Sequence, residues 1–593
     1  MRTARFPLVL ATTVLQTAHS WSISSTRLIP LRVCSNQLPS HHSIRYSKSK
    51  HAHSIRGHSP FQTIQRSRLF SSWSDEGYKT SNNMAWKTCS KCRGEGRIRR
   101  PPSKKARLKQ RQLQEQEQKN GGGSEHDSKR VKLTTPLPPR YEPCKACNQT
   151  GILESTELPE VMDCYPSIAI IGGGLGGFAL GIACSHRGIP FQVFERDTTF
   201  LMRKQGYGLT LQQASRALAS FGIQSLKDGV TSTKHVVHRT NGTQVGEWGL
   251  RKWGRDEGKK PPKRQNVHIA RQALRRELLD ALGGEERVSW GHKLVDMVED
   301  DGRYTLSFQK QDGSKVKHQA DLVVGADGIR STVRKQLLET EEGTSTTTPL
   351  RYLDCLVVLG ICSLDLLEKT TMESTELLDG HTVFQTADGS TRIYLMPYSS
   401  TSYMWQLSFP IKDERLAKEL SCKGPAALKQ EALNRCGKWH SPIPDILLKT
   451  PVDLVSGYPV YDRDLITLNM LNGDNNGNTS TSTTKKPAVT LIGDAAHPMS
   501  PFKGQGANQA LLDALCLARS IVRATHHKRD NKTDILQIAL DDYHAEMVER
   551  SAVKVKASAE AAQFLHSSVA IQEGNVTRGA AASSSNASMP QDA

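Results

Sequence analysis

The first 74 of the 593 residues contain no aspartate or glutamate, although they contain ten lysine and arginine residues. The basic excess continues to residue 140, and these first 140 residues account for the whole net charge of +20. Residues 141–593 are therefore neutral overall. The net charge is thus no argument for a nucleic-acid ligand of the main body, and we predict no such partner.

An acid-free leader that is rich in serine and arginine is typical of an organelle transit sequence. Its start differs, because two arginines precede the apolar residues 6–15 and small residues follow, as in a short secretory signal. This combination resembles the two-part leaders of secondarily acquired algal plastids. We therefore predict that residues 1–80 are a disordered leader that directs the protein to a plastid (chloroplast). A mitochondrial presequence or a plain basic tail is the alternative.

Long apolar runs are also missing, since none approaches the ~18 residues that a membrane span needs, and we predict no transmembrane segment. Eight of the twelve cysteines are scattered, which excludes a disulfide framework and suits a reducing compartment. The other four cysteines form two Cys-x-x-Cys pairs, Cys89 with Cys92 and Cys144 with Cys147. Glycines follow each pair, where they let the chain turn back beneath a bound metal.

Two thiolate pairs of this kind predict a tetrahedral zinc site in residues 81–155, interrupted by a disordered basic insert. The first pair resembles the CxxCxGxG unit of the DnaJ cysteine-rich domain, and the second pair matches it less fully. All four ligands would be thiolates, which leaves no open position for catalysis, so the metal is expected to be structural and remote from any active site. Two unconnected turns with free thiols are the alternative.

A strand, a glycine turn, a helix and a second strand are predicted within residues 168–197. Gly172, Gly174 and Gly177 give the pattern GxGxxG, which suits a tight turn, an approaching pyrophosphate and a helix packed close to the strand. Glu195 ends the second strand at the spacing of a carboxylate that binds a ribose hydroxyl. A plain strand-turn-helix would explain the glycines alone, but not the acid as well.

Three later segments carry further candidate residues. Arg271 opens a predicted helix, where it suits a cofactor phosphate. Asp327 and Gly328 follow a predicted buried strand in the string GADGIRSTVR. Asp494 follows another such strand in GDAAHPMSPFKGQGANQALLD, whose glycine-rich loop opens a helix. His497, in the same string, is interpreted as a packing or hydrogen-bonding residue and not as a base.

Together, GGGLGG with its acid, GADGIRSTVR and the third string closely resemble the FAD-dependent aromatic hydroxylases, a family of single-component flavoprotein monooxygenases. The resemblance spans roughly residues 166–550. It implies an α/β fold, in which a mixed or antiparallel substrate sheet is inserted into a Rossmann-like FAD-binding domain. It also implies that Asp494 binds the ribityl chain and that the flavin ring lies against Pro501, the predicted catalytic residue, and a loop containing Gly504, Gly506, Ala507 and Asn508.

The resemblance further implies that NAD(P)H reduces FAD and that a flavin C4a-hydroperoxide then hydroxylates or epoxidises a small aromatic or polyene-like substrate. Candidate substrate contacts on the inserted sheet are His381, Tyr394, Tyr398 and Tyr403. A reductase or dehydrogenase of the same fold is one alternative. The other is a redox-regulated, zinc-containing interaction protein with a vestigial flavin domain.

Alternating apolar residues predict the inserted sheet. Beyond the leader and the cysteine module, the predicted divisions are the first part of the FAD-binding domain (165–345), the substrate sheet (346–465), the returning FAD segment (466–555), and a helix end with a disordered tail (556–593).

Overall fold

The computed structural model describes residues 85–105, 107–108, 111–112, 140–203, 206–212, 214–249, 266–338, 348–373, 376–472, 486–527 and 532–574. The predicted leader, most of the basic insert and the predicted tail from residue 575 lie outside these ranges. No helix within them is long and apolar enough to cross a membrane.

The strands, in chain order, are β1 (Ala85–Thr88), β2 (Arg97–Arg100), β3 (Arg140–Pro143), β4 (Ile152–Ser155), β5 (Ile168–Ile171), β6 (Phe191–Glu195), β7 (Gly208–Leu211), β8 (Val230–Thr231), β9 (Lys234–Arg239), β10 (Gln244–Trp248), β11 (Val267–Ala270), β12 (Val288–Trp290), β13 (Lys293–Asp300), β14 (Arg303–Gln309), β15 (Lys315–Ala320), β16 (Leu322–Gly325), β17 (Leu350–Ser363), β18 (Thr382–Ala387), β19 (Arg392–Ser399), β20 (Ser402–Pro410), β21 (Val455–Arg463) and β22 (Val489–Leu491).

The helices are α1 (Leu175–Ser185), α2 (Ser215–Ala219), α3 (Arg271–Leu282), α4 (Thr332–Leu338), α5 (Lys369–Glu373), α6 (Glu414–Cys422), α7 (Pro425–Cys436), α8 (Ile443–Lys449), α9 (Leu468–Asn472), α10 (Gly506–His527) and α11 (Lys532–Phe564).

A five-stranded parallel sheet with the order β12-β6-β5-β16-β22 organises the first core. Strands β5 and β16 are buried along their whole length, as expected where helices cover both faces of a parallel sheet. Helix α1 packs against α3 and α10, and α10 packs against α11. The chain leaves β5 towards β6, while β16 lies on its other side, so a crevice opens at the carboxyl ends of these strands.

The second core is built on a seven-stranded sheet with the order β10-β9-β18-β19-β20-β17-β21. Its neighbouring strands are antiparallel except β9 and β18, which are parallel. Helices α6, α7 and α8 contribute to the core on one face, which includes the fully buried Trp405 and Phe409. This mixed sheet beside a parallel sheet confirms the predicted fold class. Strands β9 and β10 precede residue 346, so the predicted boundary there leaves them out of the sheet.

Two further three-stranded sheets, β7-β11-β8 and β13-β14-β15, complete the body of the protein. The cysteine pairs lie in a separate small unit, where β1 pairs with β4 and β2 pairs with β3. Each of these pairings joins a strand from the first Cys-x-x-Cys segment to one from the second. The insert of residues 101–139 therefore connects two paired strands of the same small unit.

Candidate cofactor site and cysteine centre

The turn between β5 and α1 requires its glycines for different reasons. Gly172 has a φ of +115°, and a Cβ there would lie 2.5 Å from the carbonyl oxygen of Ala326. A Cβ on Gly177 would lie 1.9 Å from the carbonyl oxygen of Gly172, so this glycine lets α1 lie close to β5. Beside Gly174, however, the nearest atom that a Cβ would meet is 3.9 Å away. The space next to Gly174 is therefore open to a ligand.

This open space belongs to a cleft of about 990 Å³, measured with its solvent-filled mouth. The predicted cofactor residues that line it are Gly172, Gly174, Glu195, Arg271, Asp327, Gly328, Asp494, Gly506 and Ala507. They come from six separate stretches of the chain, which meet at the carboxyl ends of the parallel strands. The predicted residues Gly177, Pro501, Gly504 and Asn508 do not line the cleft.

The amino terminus of α1 gives the cleft an anion site. Gly174 is the N-cap, no side chain caps the free amide groups, and the first turn holds no acidic residue. The helix dipole and these amides attract negative charge. Five basic side chains also line the cleft, namely Arg196, Arg203, Arg271, Lys293 and Arg330. A diphosphate therefore fits this edge of the sheet.

The carboxylate of Glu195 is buried and already has several partners. It accepts hydrogen bonds from the backbone N–H groups of Gly173 (2.7 Å) and Asp197 (3.0 Å), and it pairs with Arg203 at 2.9 Å. Arg203 also contacts the carboxylate of Asp197. Glu195 thus holds the glycine turn against the end of β6. The sequence prediction missed Arg203, whose role depends on a loop that brings it back to the two acids.

Asp327 combines a helix cap with an unpaired oxygen. Its Oδ2 accepts hydrogen bonds from the N–H groups of Thr332 (2.7 Å) and Val333 (3.3 Å) at the start of α4. Its Oδ1 is buried and has no hydrogen-bond partner within the described residues. Burial raises the pKa of Asp327. A buried acceptor without a donor is costly, so a ligand hydroxyl at this rim of the cleft would relieve it.

Asp494 is held at the opposite side of the cleft by the buried carboxylate of Asp513. Asp513 accepts from the N–H of Gly493 (2.8 Å) and contacts His497 Nε2 (2.7 Å) and Arg550 Nη2 (2.8 Å). Burial alone would raise the pKa of Asp513, but His497 and Arg550 lower it to about 2. Asp494 itself is exposed to the cleft. His497 therefore has the hydrogen-bonding role that the sequence suggested.

Asn508 ties the glycine-rich loop to strand β7 and the residues that follow it. Its Oδ1 accepts from the N–H groups of Gln212 (2.9 Å) and Ala214 (3.1 Å). Its Nδ2 donates to the carbonyl oxygens of Thr210 (2.9 Å) and Gly504 (2.8 Å). All four hydrogen bonds of the amide go to backbone atoms. The side chain thus positions the loop and has no bonding capacity left for a ligand.

The seven-stranded sheet presents its second face towards this loop. Met396 and Met404 are buried on that face, and Tyr207, Tyr394 and Phe502 pack against them. Phe502 follows Pro501, and Tyr207 accepts a backbone hydrogen bond from Arg271, so this face adjoins the cleft. The face is apolar and aromatic, except for polar groups at one end.

The four predicted substrate contacts divide between the two sides of the sheet. Tyr394 and Tyr398 lie on the face beside the cleft. Tyr403 belongs to the opposite core under the helices, where its hydroxyl donates to the carbonyl oxygen of Leu377 at 3.2 Å. His381 is exposed and contacts the carbonyl oxygen of Thr231. Tyr403 and His381 therefore do not share the face on which Tyr394 and Tyr398 lie, and the alternation along a strand does not show which face adjoins the cleft.

The four cysteines of the two pairs meet at one point. Their Sγ atoms all lie within 4.8 Å of one another, and Cys92 and Cys147 are 3.6 Å apart. The N–H groups of Gly96 and Gly151 point at the sulfurs of Cys92 (3.2 Å) and Cys147 (3.3 Å). Tetrahedral zinc with bonds of 2.3 Å would separate its sulfurs by about 3.8 Å. The donor set and its spacing therefore fit such an ion.

Arginines fix this cysteine unit onto the main body. Arg187, just past the end of α1, donates to the carbonyl oxygen of Gly94 at 3.3 Å, and Arg519 on α10 donates to the same oxygen at 3.1 Å. Arg523 pairs with Glu95 at 3.1 Å. The unit is therefore packed against the domain and is not a detached module. It sits at the opposite end of α1 from Gly174, about 16 Å away for an 11-residue helix.

The fold and the cleft define a protein that binds a dinucleotide cofactor across a parallel sheet. The family described as "FAD binding domain" matches residues 165–424 and 470–558, and the chain belongs to this family. The match omits the cysteine unit and covers both the parallel sheet and much of the seven-stranded one. FAD is therefore the cofactor of this protein.

Two relatives are similar to the chain over most of their own length, and a third is similar over about half of its length. Aurachin C monooxygenase/isomerase of Stigmatella aurantiaca is 28% identical over 390 residues, which are 65% of this chain and 86% of that protein. An FAD-dependent monooxygenase of Trichoderma harzianum is 26% identical over 404 residues, 66% of this chain and 92% of that protein. Chloroplastic zeaxanthin epoxidase of Solanum lycopersicum is 25% identical over 364 residues, 60% of this chain but 48% of that protein.

Solved structures agree in fold. A variant of HpxO from Klebsiella pneumoniae, complexed with FAD, matches with a TM-score of 0.54 and 18% identity over 70% of this chain and 98% of that one. The 2,6-dihydroxypyridine-3-hydroxylase of Arthrobacter nicotinovorans matches with a TM-score of 0.52 and 18% identity over 70% and 96%. At this identity the likeness shows the fold alone. With the family and the relatives, the chain is an FAD-dependent monooxygenase, and the prediction of an oxidoreductase is confirmed.

Substitutions at two glycines of the turn between β5 and α1 test FAD binding separately from folding of the protein. We expect Gly174→Val to fold, because the added side chain meets open space, and to lose FAD, because it fills the place that suits the diphosphate. Gly177→Val is the contrasting variant, and it should fail to fold, since its Cβ would clash with backbone. Circular dichroism and flavin absorbance measure the two effects. A Gly174→Val protein with a full complement of FAD would contradict this assignment.

Proposed function

We propose that this monooxygenase uses NAD(P)H and O2 to hydroxylate or epoxidise a small aromatic or lipophilic molecule. The observation that carries the proposal is the apolar, aromatic face of the seven-stranded sheet, which adjoins the FAD cleft at Tyr207 and Phe502. A flat apolar molecule would bury its surface there. The names of the relatives, a monooxygenase/isomerase and an epoxidase among them, support this range of reactions.

Within the cleft we propose a role for each candidate residue. The backbone around Gly172 and Gly174 holds the pyrophosphate, with Gly177 keeping α1 in place behind it. Glu195 approaches the adenosine ribose, Asp494 the ribityl chain, and Arg271 a phosphate or the ring region. Asp327 and Gly328 form the rim of the cleft beside the bound cofactor. The remaining proposed contacts, Gly504, Gly506, Ala507 and the loop held by Asn508, border the flavin ring.

When bound, FAD supplies the hydride acceptor and the activation of O2. The residues of the chain position the substrate against the sheet face and exclude water from the space beside Phe502. Pro501 opens the turn Pro501–Lys503, and its rigid ring would fix the course of this turn, which places Phe502 against the sheet face. We propose that Pro501 acts by shaping this surface and has no acid or base role.

The proposed reaction predicts oxygen transfer from O2 to the product. A screen of phenols, quinone precursors and carotenoid-like alkenes should find compounds that stimulate NAD(P)H oxidation by the FAD-loaded protein. With ¹⁸O2, the product of such a compound should carry one labelled atom. NAD(P)H oxidation with an unlabelled product would point instead to a reductase or dehydrogenase, and no oxidation with any compound would favour an interaction protein.

Pro501→Ala should retain FAD and shift the yield from labelled product towards hydrogen peroxide.

We also propose that Cys89, Cys92, Cys144 and Cys147 hold one structural zinc ion. The four closely spaced sulfurs and the two N–H groups directed at them support this proposal. The guanidinium groups of Arg187 and Arg519 at the same unit would offset the negative charge of four thiolates around the ion.

Elemental analysis should find about one zinc per chain in protein purified under reducing conditions. We expect Cys92→Ser to lose the metal and to leave the flavin content of the folded protein unchanged, because the cleft is at the far end of α1. The exposed Cys422, outside the unit, offers a matched control, and Cys422→Ser should keep its zinc. Wild-type protein without zinc would refute the proposal.

The acid-free leader supports a further proposal, that the protein acts in a plastid, with a mitochondrion as the alternative. One of the relatives carries the word chloroplastic in its name. Residues 1–80 fused to a fluorescent reporter should direct it to plastids of an alga with secondary plastids. A diffuse cytosolic signal from this fusion would show that the leader is not a targeting sequence.

A further inference from the structure

The cysteine unit carries a positive surface that neither the zinc site nor the cofactor cleft uses. Its described residues, 85–105, 107–108, 111–112 and 140–155, contain twelve lysines and arginines but three glutamates and no aspartate. A zinc ion held by four thiolates would add two negative charges, which leaves most of this excess in place. Residues 141–593 are neutral overall, so the positive charge is concentrated on the small unit and not on the main body.

Strands β2 and β3 form a two-stranded ribbon with an inner and an outer face. Ile98 packs against the cysteines, which defines the inner face. Neighbouring residues of a strand point to opposite faces, so Arg97 and Arg99 point outwards. Tyr141 lies directly opposite Arg99 and therefore shares the outer face. The guanidinium carbon of Arg97 lies 4.2 Å from the ring centre of Tyr141, so these two side chains meet on that face.

Within the two strands, the outer face holds no carboxylate. Glu142 is their one acidic residue, and it lies on the inner face, where it pairs with Arg100 at 3.1 Å. Arg97 is exposed, and its distance to the carboxylate of Glu95 is 3.9 Å. Arg99 is exposed as well and has no ion-pair partner among the described residues. The outer face of the ribbon is therefore positive and open to solvent.

Exposed cations continue past the end of β2. Lys104, Lys105 and Arg107 are all exposed to solvent. The Nε of Arg107 donates to the carbonyl oxygen of Pro102 at 3.0 Å, and this contact leaves its charge unneutralised. A group of cations with so few acids beside it produces a positive potential that attracts an anionic partner.

Two large apolar side chains lie among these cations. Leu108 is 58% exposed and Tyr141 is 45% exposed. A tyrosine combines an apolar ring with a polar hydroxyl, and this residue is enriched where a membrane meets water. A leucine gains free energy where it leaves water for an apolar phase. Cations interleaved with such side chains suit a surface that offers both negative head groups and acyl chains.

A nucleic acid fits these side chains less well. Proteins that bind single strands stack successive bases on several aromatic rings. In the part of the unit that the structure describes, the aromatic residues are Trp86 and Tyr141, and Trp86 packs against Gly222 of the main body. Arg97 already covers one face of the Tyr141 ring. The polar backbone of a nucleic acid would also leave Leu108 in water.

We propose that the outer face of this ribbon, together with the exposed residues after β2, binds a membrane surface that contains anionic lipids. The side chains that would meet the head groups or enter the interface are Arg97, Arg99, Lys104, Lys105, Leu108 and Tyr141. The unit lies at the far end of α1 from Gly174, so this surface is distinct from the cofactor cleft. The inference goes beyond the proposed function and does not depend on the reaction.

The test measures how the full-length, FAD-loaded protein sediments with vesicles of phosphatidylcholine, alone or mixed with an equal part of phosphatidylglycerol. We expect binding to the mixed vesicles that salt weakens. Arg99→Gln/Lys105→Gln should bind about thirtyfold more weakly, because each cation near such a surface contributes about fivefold. Lys315→Gln/Lys317→Gln removes the same charge from the exposed strand β15 and should bind as the wild type does. The leader is present in every variant, so its charge does not contribute to these differences.

Leu108→Ser separates a membrane from other anionic partners. It should bind the mixed vesicles about tenfold more weakly than the wild type, since a polar side chain gains nothing at the acyl boundary. Flavin absorbance and zinc content show that each variant is folded. A wild type that does not bind the mixed vesicles, or an Arg99→Gln/Lys105→Gln protein that binds them as tightly as the control variant, would overturn the inference. Unchanged vesicle binding by Leu108→Ser would overturn it as well, and tighter binding of the wild type to duplex DNA than to the vesicles would assign the surface to a nucleic acid instead.

Discussion

The cleft depends on one buried carboxylate. Asp513 lies on α10, and its contacts with Gly493, His497 and Arg550 attach α10 and α11 to the segment that follows β22 of the parallel sheet. Without them, Gly493 would lose its acceptor, and Arg550 would hold an uncompensated charge in the core. Asp494 can face the glycine turn, which is more than 300 residues earlier in the sequence, only because Asp513 fixes its neighbour. Asp513 thus positions one side of the proposed cofactor site although it does not itself line the cleft.

The same returning segment connects the two halves of the proposed chemistry. After Asp494 the chain passes Pro501 and Phe502, which meet the aromatic face of the seven-stranded sheet, and then enters α10 under the cleft. The side chain of Asn508 fixes the position of this segment through four hydrogen bonds to backbone groups. Cofactor and substrate would therefore share one rigid wall. A rigid wall suits a reaction in which position and exclusion of water are the main contributions of the protein.

Local patterns predicted the parts of the site that depend on spacing along the chain. The glycine turn and Glu195 belong to one strand-turn-helix-strand unit, so their offsets alone indicate a dinucleotide site. The position of Arg203 depends on a loop that folds back onto Glu195 and Asp197, and the face of the sheet that adjoins the cleft depends on the tertiary fold; no short motif encodes either. For the same reason the sequence does not show on which face of the sheet Tyr403 lies. The sequence also gave no indication that Arg187 and Arg519 dock the cysteine unit. Both arginines donate to a backbone carbonyl oxygen, and every residue has such an acceptor.

We propose that the cleft binds FAD and that Asp494 contacts it directly. The most direct measurement is an equilibrium titration of FAD into apoprotein, for the wild type and for Asp494→Ala, followed by flavin absorbance and fluorescence. We predict a yellow wild-type protein with one FAD per chain and a variant whose affinity is about ten- to a hundredfold weaker, as expected for a lost charge-assisted hydrogen bond. Asp494→Asn, which keeps an acceptor, should lie between the two. A wild type that shows no flavin absorbance after reconstitution would contradict FAD binding in the cleft. An Asp494→Ala protein that binds FAD as tightly as the wild type would contradict the direct contact of Asp494 with FAD.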